Sequence, residues 1–213
     1  MSKNTIIFGD SYSTFEHYIP ECYKPYYISA GRPETDVTKV KETWWYQVVE
    51  EANLNLILND SWSGSTIGYT GYDNEDCSQT SSFICRLNRL IESNFFANNQ
   101  IDTVFVFGGT NDSWAHAPLG VIDFGDVQND ALYFVLPALC HFFKTLRTVL
   151  PQAEIYCLIN TELNPKIVDC FEKVCEQYHL TKIAFEQIDK KSGHPTIKGM
   201  QDIKNKVLRI VKQ

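Results

Sequence analysis

Long apolar runs are missing from this chain. None of its 213 residues belongs to a stretch near the roughly 20 apolar residues that a membrane-spanning helix needs. Basic excess is missing too. Lys and Arg number 19 against 26 Asp and Glu, for a net charge of -7. A nucleic-acid partner requires a basic footprint, and an anionic membrane surface would repel this one, so both are excluded as expected partners. The seven cysteines are odd in number and none forms a C-x-x-C pair. No zinc or disulfide framework is expected from that spacing. Several lie inside apolar runs such as Ile155-Tyr156-Cys157-Leu158-Ile159, as buried thiols of a reducing compartment do. The start, Met1-Ser2-Lys3-Asn4-Thr5, leads into only three apolar residues before Gly9, too few for a secretory leader. The expectation is a cytoplasmic protein forming one domain over residues 1–213.

What is present is an alternation of short apolar runs and amphipathic segments. Strand candidates are Thr5–Phe8, Asn55–Asn59, Thr103–Phe107, Glu154–Ile159 and Thr181–Phe185. Helical spacing runs over Trp44–Ala52, Phe83–Asn94, Asp130–Val149 with Pro137 as a kink or break, Pro165–Tyr178 and Ile197–Val211. Strands alternating with helices predict an α/β protein with a parallel sheet of about five strands covered on both faces. Thr103–Phe107 is apolar throughout, which predicts a central position. Residues 15–43 are irregular and rich in tyrosine, and a loop that long in a compact domain is usually functional. Residues 60–82 read as a second loop. There is no internal repeat and no low-complexity segment.

In such a sheet, ligands sit beyond the carboxyl ends of the strands. Three segments follow strands directly: Gly9-Asp10-Ser11, Ser61-Trp62-Ser63-Gly64 and Gly109-Thr110-Asn111-Asp112. A fourth, His194-Pro195, precedes the last helix. A serine hydroxyl needs a base to become a nucleophile, and Ser11 with His194 supplies that pair. The oxyanion that develops needs fixed donors. The backbone N–H groups of Ser11 and Gly64 and the side-chain amide of Asn111 are candidates, and glycine lets its backbone approach a ligand closely. Alone, Ser11 would read as a helix N-cap. Asp10 and Asp112 read as braces of their own loops.

Those four segments resemble the SGNH, or GDSL, hydrolase superfamily. Gly-Asp-Ser-Tyr-Ser at 9–13, Gly64, Gly-Thr-Asn-Asp at 109–112 and His194-Pro195 match its four blocks in order, over almost the whole chain. The resemblance implies a flavodoxin-like three-layer α/β/α sandwich, hydrolysis of esters or thioesters, and no cofactor. The Gly-x-Ser-x-Gly elbow of the α/β-hydrolases is absent. One feature departs from the pattern. The family places the triad aspartate three residues before the histidine, where this chain has Lys191. Either Asp189 orients the imidazole, or a backbone carbonyl near Lys191 does so and the site works as a dyad.

The expected reaction is cleavage of a carboxylic ester through an acyl-enzyme, on a small-molecule or carbohydrate ester. Removal of an acetyl group from a sugar is the subclass suggested by family analogy. A thioesterase or lysophospholipase is the alternative, and a catalytically silent binding module is the reading from a different class. Trp62, Trp114 and Tyr12 are candidate substrate contacts, although loop packing explains the tryptophans equally well. His17 and His116 lie in loops near the site and are further candidates.

Overall fold

In a computed structural model that describes residues 2–212, the chain alternates strands and helices as the pattern requires. β1 (Asn4–Gly9) leads through the irregular segment to α1 (Trp44–Glu51) and β2 (Asn55–Ser61). α2 (Phe83–Glu92) and the short α3 (Phe95–Asn98) precede β3 (Thr103–Phe107). α4 (Thr110–Trp114), α5 (Val135–Val149), β4 (Glu154–Ile159), α6 (Pro165–Gln177) and β5 (Thr181–Ala184) follow. A two-stranded antiparallel hairpin, β6 (Lys190–Lys191) and β7 (His194–Pro195), leads into α7 (Ile197–Val211).

The five long strands form one parallel sheet in the order β2-β1-β3-β4-β5, the flavodoxin-like order. β3 is central, and the pleat explains why it is apolar throughout. Val104 and Val106 face a core shared with α2, α5 and α6. Phe105 and Phe107 face a second core built on α1 and α7. Each such side chain contributes roughly 1.5–3 kcal/mol on burial, so the strand is stable only with both faces covered. Strand order reverses between β1 and β3. The carboxyl ends of these two strands form the crevice where ligands bind in this architecture.

Helix boundaries follow local chemistry. Ser82 caps α2, its hydroxyl accepting from Cys85 N–H at 3.1 Å. Asn164 caps α6 with Pro165 in the first turn, and Thr196 caps α7. Two expected boundaries shift. α5 begins at Val135 rather than near Asp130, and Pro137 therefore sits in its first turn, where no N–H is needed, instead of kinking its middle. Residues 129–133 form a separate 3-10 turn. α2 stops at Glu92 because Asn94 adopts a left-handed φ of 58°. All seven cysteines are free thiols, and only Cys22 is exposed. Among the described residues, no helix is long and apolar enough to cross a membrane.

Candidate active site

Ser11 opens a 3-10 turn at the end of β1, capped by Asp10, whose Oδ1 accepts from Tyr12 N–H at 3.0 Å. Ser11 Oγ lies 3.0 Å from His194 Nε2. His194 Nδ1 lies 3.2 Å from the carbonyl of Ser192. A carbonyl only accepts, so Nδ1 carries the proton and Nε2 presents its lone pair to the serine hydroxyl. That is the tautomer a general base requires.

The imidazole is enclosed by aromatic rings. Tyr26 stacks on it with centroids 3.6 Å apart and planes 7° from parallel, and Trp114 meets it edge-on at 5.9 Å. Burial pushes the imidazole's pKa down to about 4, with further lowering from the positive charges of Arg32 and Lys190, while the Ser192 carbonyl opposes the shift. Asp189 takes no part in this arrangement, contrary to one of the two expectations. Its carboxylate accepts from the Thr196 hydroxyl at the start of α7, and its chain position places it outside the hairpin tip that carries the histidine. The structure matches the other expectation, a backbone carbonyl from the turn.

The residues expected to stabilise charge converge. Gly64 occupies a turn after β2 with φ of +85°, a conformation that glycine adopts without strain, and the space where a side chain would stand is open. Trp62 N–H donates to the Gly9 carbonyl at 3.1 Å, and Asn111 Nδ2 donates to the Ser65 carbonyl at 2.9 Å. These two bonds fix the Gly64 turn against the Ser11 segment and α4. Among the described residues, the N–H groups of Ser11 and Gly64 meet no protein acceptor, and one N–H of the Asn111 amide is likewise free. Asp112 braces the same loop from α4, accepting from Ile67 N–H at 3.0 Å and Gly68 N–H at 3.3 Å. Burial raises its carboxyl to about 6 and that of Asp10 to about 7.

Tyr12 is not a substrate contact. It is wholly buried, and its hydroxyl donates to the Gly193 carbonyl. With Tyr27, which donates to the Pro195 carbonyl at 3.0 Å, it holds the histidine hairpin against β1. Trp62 is half-buried and stacks on Tyr23 at 4.3 Å. His17 and His116 are exposed residues with left-handed φ of 66° and 52°, and among the described residues neither side chain hydrogen-bonds to Ser11 or His194.

Four further side chains packed around this site were not singled out. Tyr72 donates to Asn111 Oδ1 at 2.9 Å and so fixes which way the amide points. Tyr26 and Arg32 belong to the tyrosine-rich segment. Arg86 is fully buried and donates to Asp60, the Gly9 carbonyl and Ser65 Oγ. The signal for Tyr26 and Arg32 is their place in the long tyrosine-rich segment, and the signal for Arg86 is a charge among the apolar positions of α2. Among the described residues, no group of three His, Cys, Asp or Glu side chains is placed to hold a metal ion.

A parallel α/β sandwich with a Ser–His pair at its switch point defines a class, the sandwich-fold hydrolases. The chain belongs to the GDSL-like lipase/acylhydrolase family, which it matches over residues 3–211, and that family acts on esters. It is 38% identical to a candidate GDSL-like lipase from Bacteroides ovatus, whose crystal structure superposes with a TM-score of 0.91 over 100% of this chain and 99% of that one. A candidate GDSL-like lipase from Bacteroides uniformis is 39% identical, with a TM-score of 0.91 over 99% of this chain and 96% of that one. An acetyl xylan esterase from Butyrivibrio proteoclasticus shares the fold, with a TM-score of 0.61 at 17% identity over 99% of this chain and 63% of that one. No functionally curated protein matches the chain.

Proposed function

We propose that the protein is a serine esterase that works through an acyl-enzyme. One observation carries this reading: Ser11 Oγ stands 3.0 Å from a histidine nitrogen whose partner nitrogen is held by a carbonyl. Ser11 attacks the ester carbonyl carbon while its proton passes to His194 Nε2. The oxyanion that forms is received by the free N–H groups of Ser11 and Gly64 and by the Asn111 amide. The tetrahedral intermediate collapses, the alcohol leaves with the proton from His194, and Ser11 keeps the acyl group. Water then attacks, giving its proton to His194, and the acid departs as Ser11 recovers its hydrogen.

The substrate we infer is a short acyl ester of a carbohydrate. Support comes from esterases of that kind sharing the fold and from partly exposed aromatic surface beside the site, the Tyr23–Trp62 pair next to the Gly64 turn and Tyr72 on Asn111, which suits sugar faces. A thioesterase or lysophospholipase would instead show rising activity with acyl length. The test is hydrolysis of p-nitrophenyl esters from acetyl to octanoyl. Turnover of the acetyl ester, abolished by Ser11→Ala, is expected. Absence of turnover above a buffer blank on every ester would sink the enzyme reading.

A further inference from the structure

Arg32 is unusual in this acidic chain. Its guanidinium lies over the ring of Tyr26, 4.8 Å from the centroid. The imidazole of His194 occupies one face of that ring at 3.6 Å, which leaves the guanidinium the other. The catalytic histidine, a tyrosine and an arginine thus form one column. Arg86 and Arg147, the other arginines that are not fully exposed, each donate to several acceptors. Arg32 is half-buried, and among the described residues its side chain meets no carboxylate and no carbonyl. Glu34, two residues on, is exposed and forms no ion pair with it.

The ring contact holds the guanidinium carbon in place, and among the described residues its N–H donors meet no acceptor. That is the posture for gripping a carboxylate through two parallel hydrogen bonds. The reaction geometry decides which part of the substrate meets it. The ester carbonyl oxygen must point toward Gly64 and Asn111. The leaving alcohol must sit within hydrogen-bond reach of His194, which protonates it. Tyr26 is stacked on that same histidine and Arg32 lies over Tyr26, so the alcohol part of the ester lies on the side of the site that carries this column.

We propose that Arg32 is the subsite for a carboxylate carried by the alcohol part of the ester. The substrate class is then an acylated hydroxy acid or sugar acid, a refinement that rests on the esterase reading above. The field around the site agrees, because Arg32 and Lys190 are the cations acting on His194. A bound carboxylate would offset the first of them as the imidazole takes its proton.

The test compares two esters of one shape, 4-acetoxybenzoate and its neutral analogue 4-acetoxybenzamide. For the wild-type protein, the ratio of kcat/KM for the anion to that for the amide is expected to exceed about tenfold, the scale of a charge-assisted hydrogen-bond pair. Arg32→Gln should bring the ratio close to one, and Arg32→Lys should leave an intermediate value. An unchanged ratio in Arg32→Gln, with both esters slowed alike, would make Arg32 a prop for the Tyr26 stack and overturn the proposal. So would a wild-type ratio near one. Binding provides the arm independent of turnover. Calorimetry should detect glucuronate binding to Ser11→Ala, weakened at least tenfold in Ser11→Ala/Arg32→Gln. Failure of all hydrolysis together with Arg32-dependent glucuronate binding would retire the esterase reading and keep the subsite. Equal glucuronate affinity in the two variants would retire the subsite.

Discussion

At the scale of single residues, the unusual fact is a histidine paired with Ser11 and oriented without an acid. The groups facing its ring are Tyr26, Trp114 and Tyr12, with the cations Arg32 and Lys190 nearby and, among the described residues, no carboxylate bonded to it. Burial and the two cations outweigh the Ser192 carbonyl, the one group there that favours imidazolium, so the ring is held neutral down to about pH 4. The sign is clear for activity: the base is competent above its folded pKa and lost as pH falls through it. The acid limb of kcat/KM against pH is therefore expected near 4, and a midpoint at the ordinary histidine value of about 6.5 would contradict this account. For the same reason Asp189→Asn should change kcat no more than about twofold while removing about 1 kcal/mol through the start of α7, the scale of a helix cap. Tyr72 is the complementary case. Its hydroxyl holds the Asn111 amide, whose second N–H is the one we propose for the oxyanion. Tyr72→Phe is expected to lower kcat about tenfold with KM nearly unchanged, less than the 10²–10³ that removal of a whole oxyanion donor costs. A fall in KM-dependent terms alone would make Tyr72 a substrate wall instead. Ser11, Gly64, Asn111 and His194 were legible in the sequence because each is a chemistry-bearing residue at a strand end or helix start. Tyr26 and Tyr72 were not, because their partners lie far along the chain and irregular segments carry no periodicity to say where a ring points.

At the scale of elements, the five sheet strands were legible and the hairpin was not. Runs such as Thr103–Phe107 announce themselves by being apolar on both faces. β6 and β7 have two residues each, too short for any pattern, yet they carry the base. Ser192 and Gly193 turn the hairpin with φ of 48° and 78°, the left-handed pair of a tight two-residue turn. That turn aims the Ser192 carbonyl back at His194 Nδ1, so the loop that has Lys191 where the family pattern has an aspartate supplies an acceptor from its own backbone. Gly193 is also pressed against Trp114, where an added Cβ would stand 2.8 Å from the indole. Gly193→Ala is expected to destabilise by about 1–3 kcal/mol through left-handed strain and crowding, and to lower kcat by displacing His194. Ser192→Asn keeps both the φ that asparagine tolerates and the carbonyl, so it should stay within about 0.5 kcal/mol of wild type. Parallel urea melts and kinetics on the two variants decide the matter. If they behave alike, the turn conformation does not set the histidine.

At the scale of the whole molecule, the sheet separates two apolar cores, and one buried charge ties the catalytic edge together. Arg86 reaches from α2 to the Asp60 carboxylate at 2.8 Å, the Gly9 carbonyl at 3.2 Å and Ser65 Oγ at 3.3 Å. It thereby joins β1, β2 and the Gly64 turn, the three pieces that must keep register for the oxyanion site to exist. Burial raises the Asp60 carboxyl, and the Arg86 charge opposes that rise. Arg86→Met would leave Asp60 uncompensated, at a cost of about 3–5 kcal/mol, which for a chain this size lowers Tm by on the order of 10 °C. The pH dependence follows in sign. Without the guanidinium the folded Asp60 binds its proton more tightly than the unfolded carboxyl does, so the deficit is small below pH 4 and grows as pH rises through the raised folded value. Asp60→Asn/Arg86→Met removes the stranded charge and should recover much of the stability at pH 8. It should not recover kcat, because Gly9 and Ser65 still lack the donor that fixes them beside Ser11. Thermal melts at pH 5 and pH 8 with kcat on p-nitrophenyl acetate separate these effects. If the double variant regains wild-type kcat along with stability, the Arg86 network serves the fold alone and the positioning of the site must come from Asp112 and Asn111.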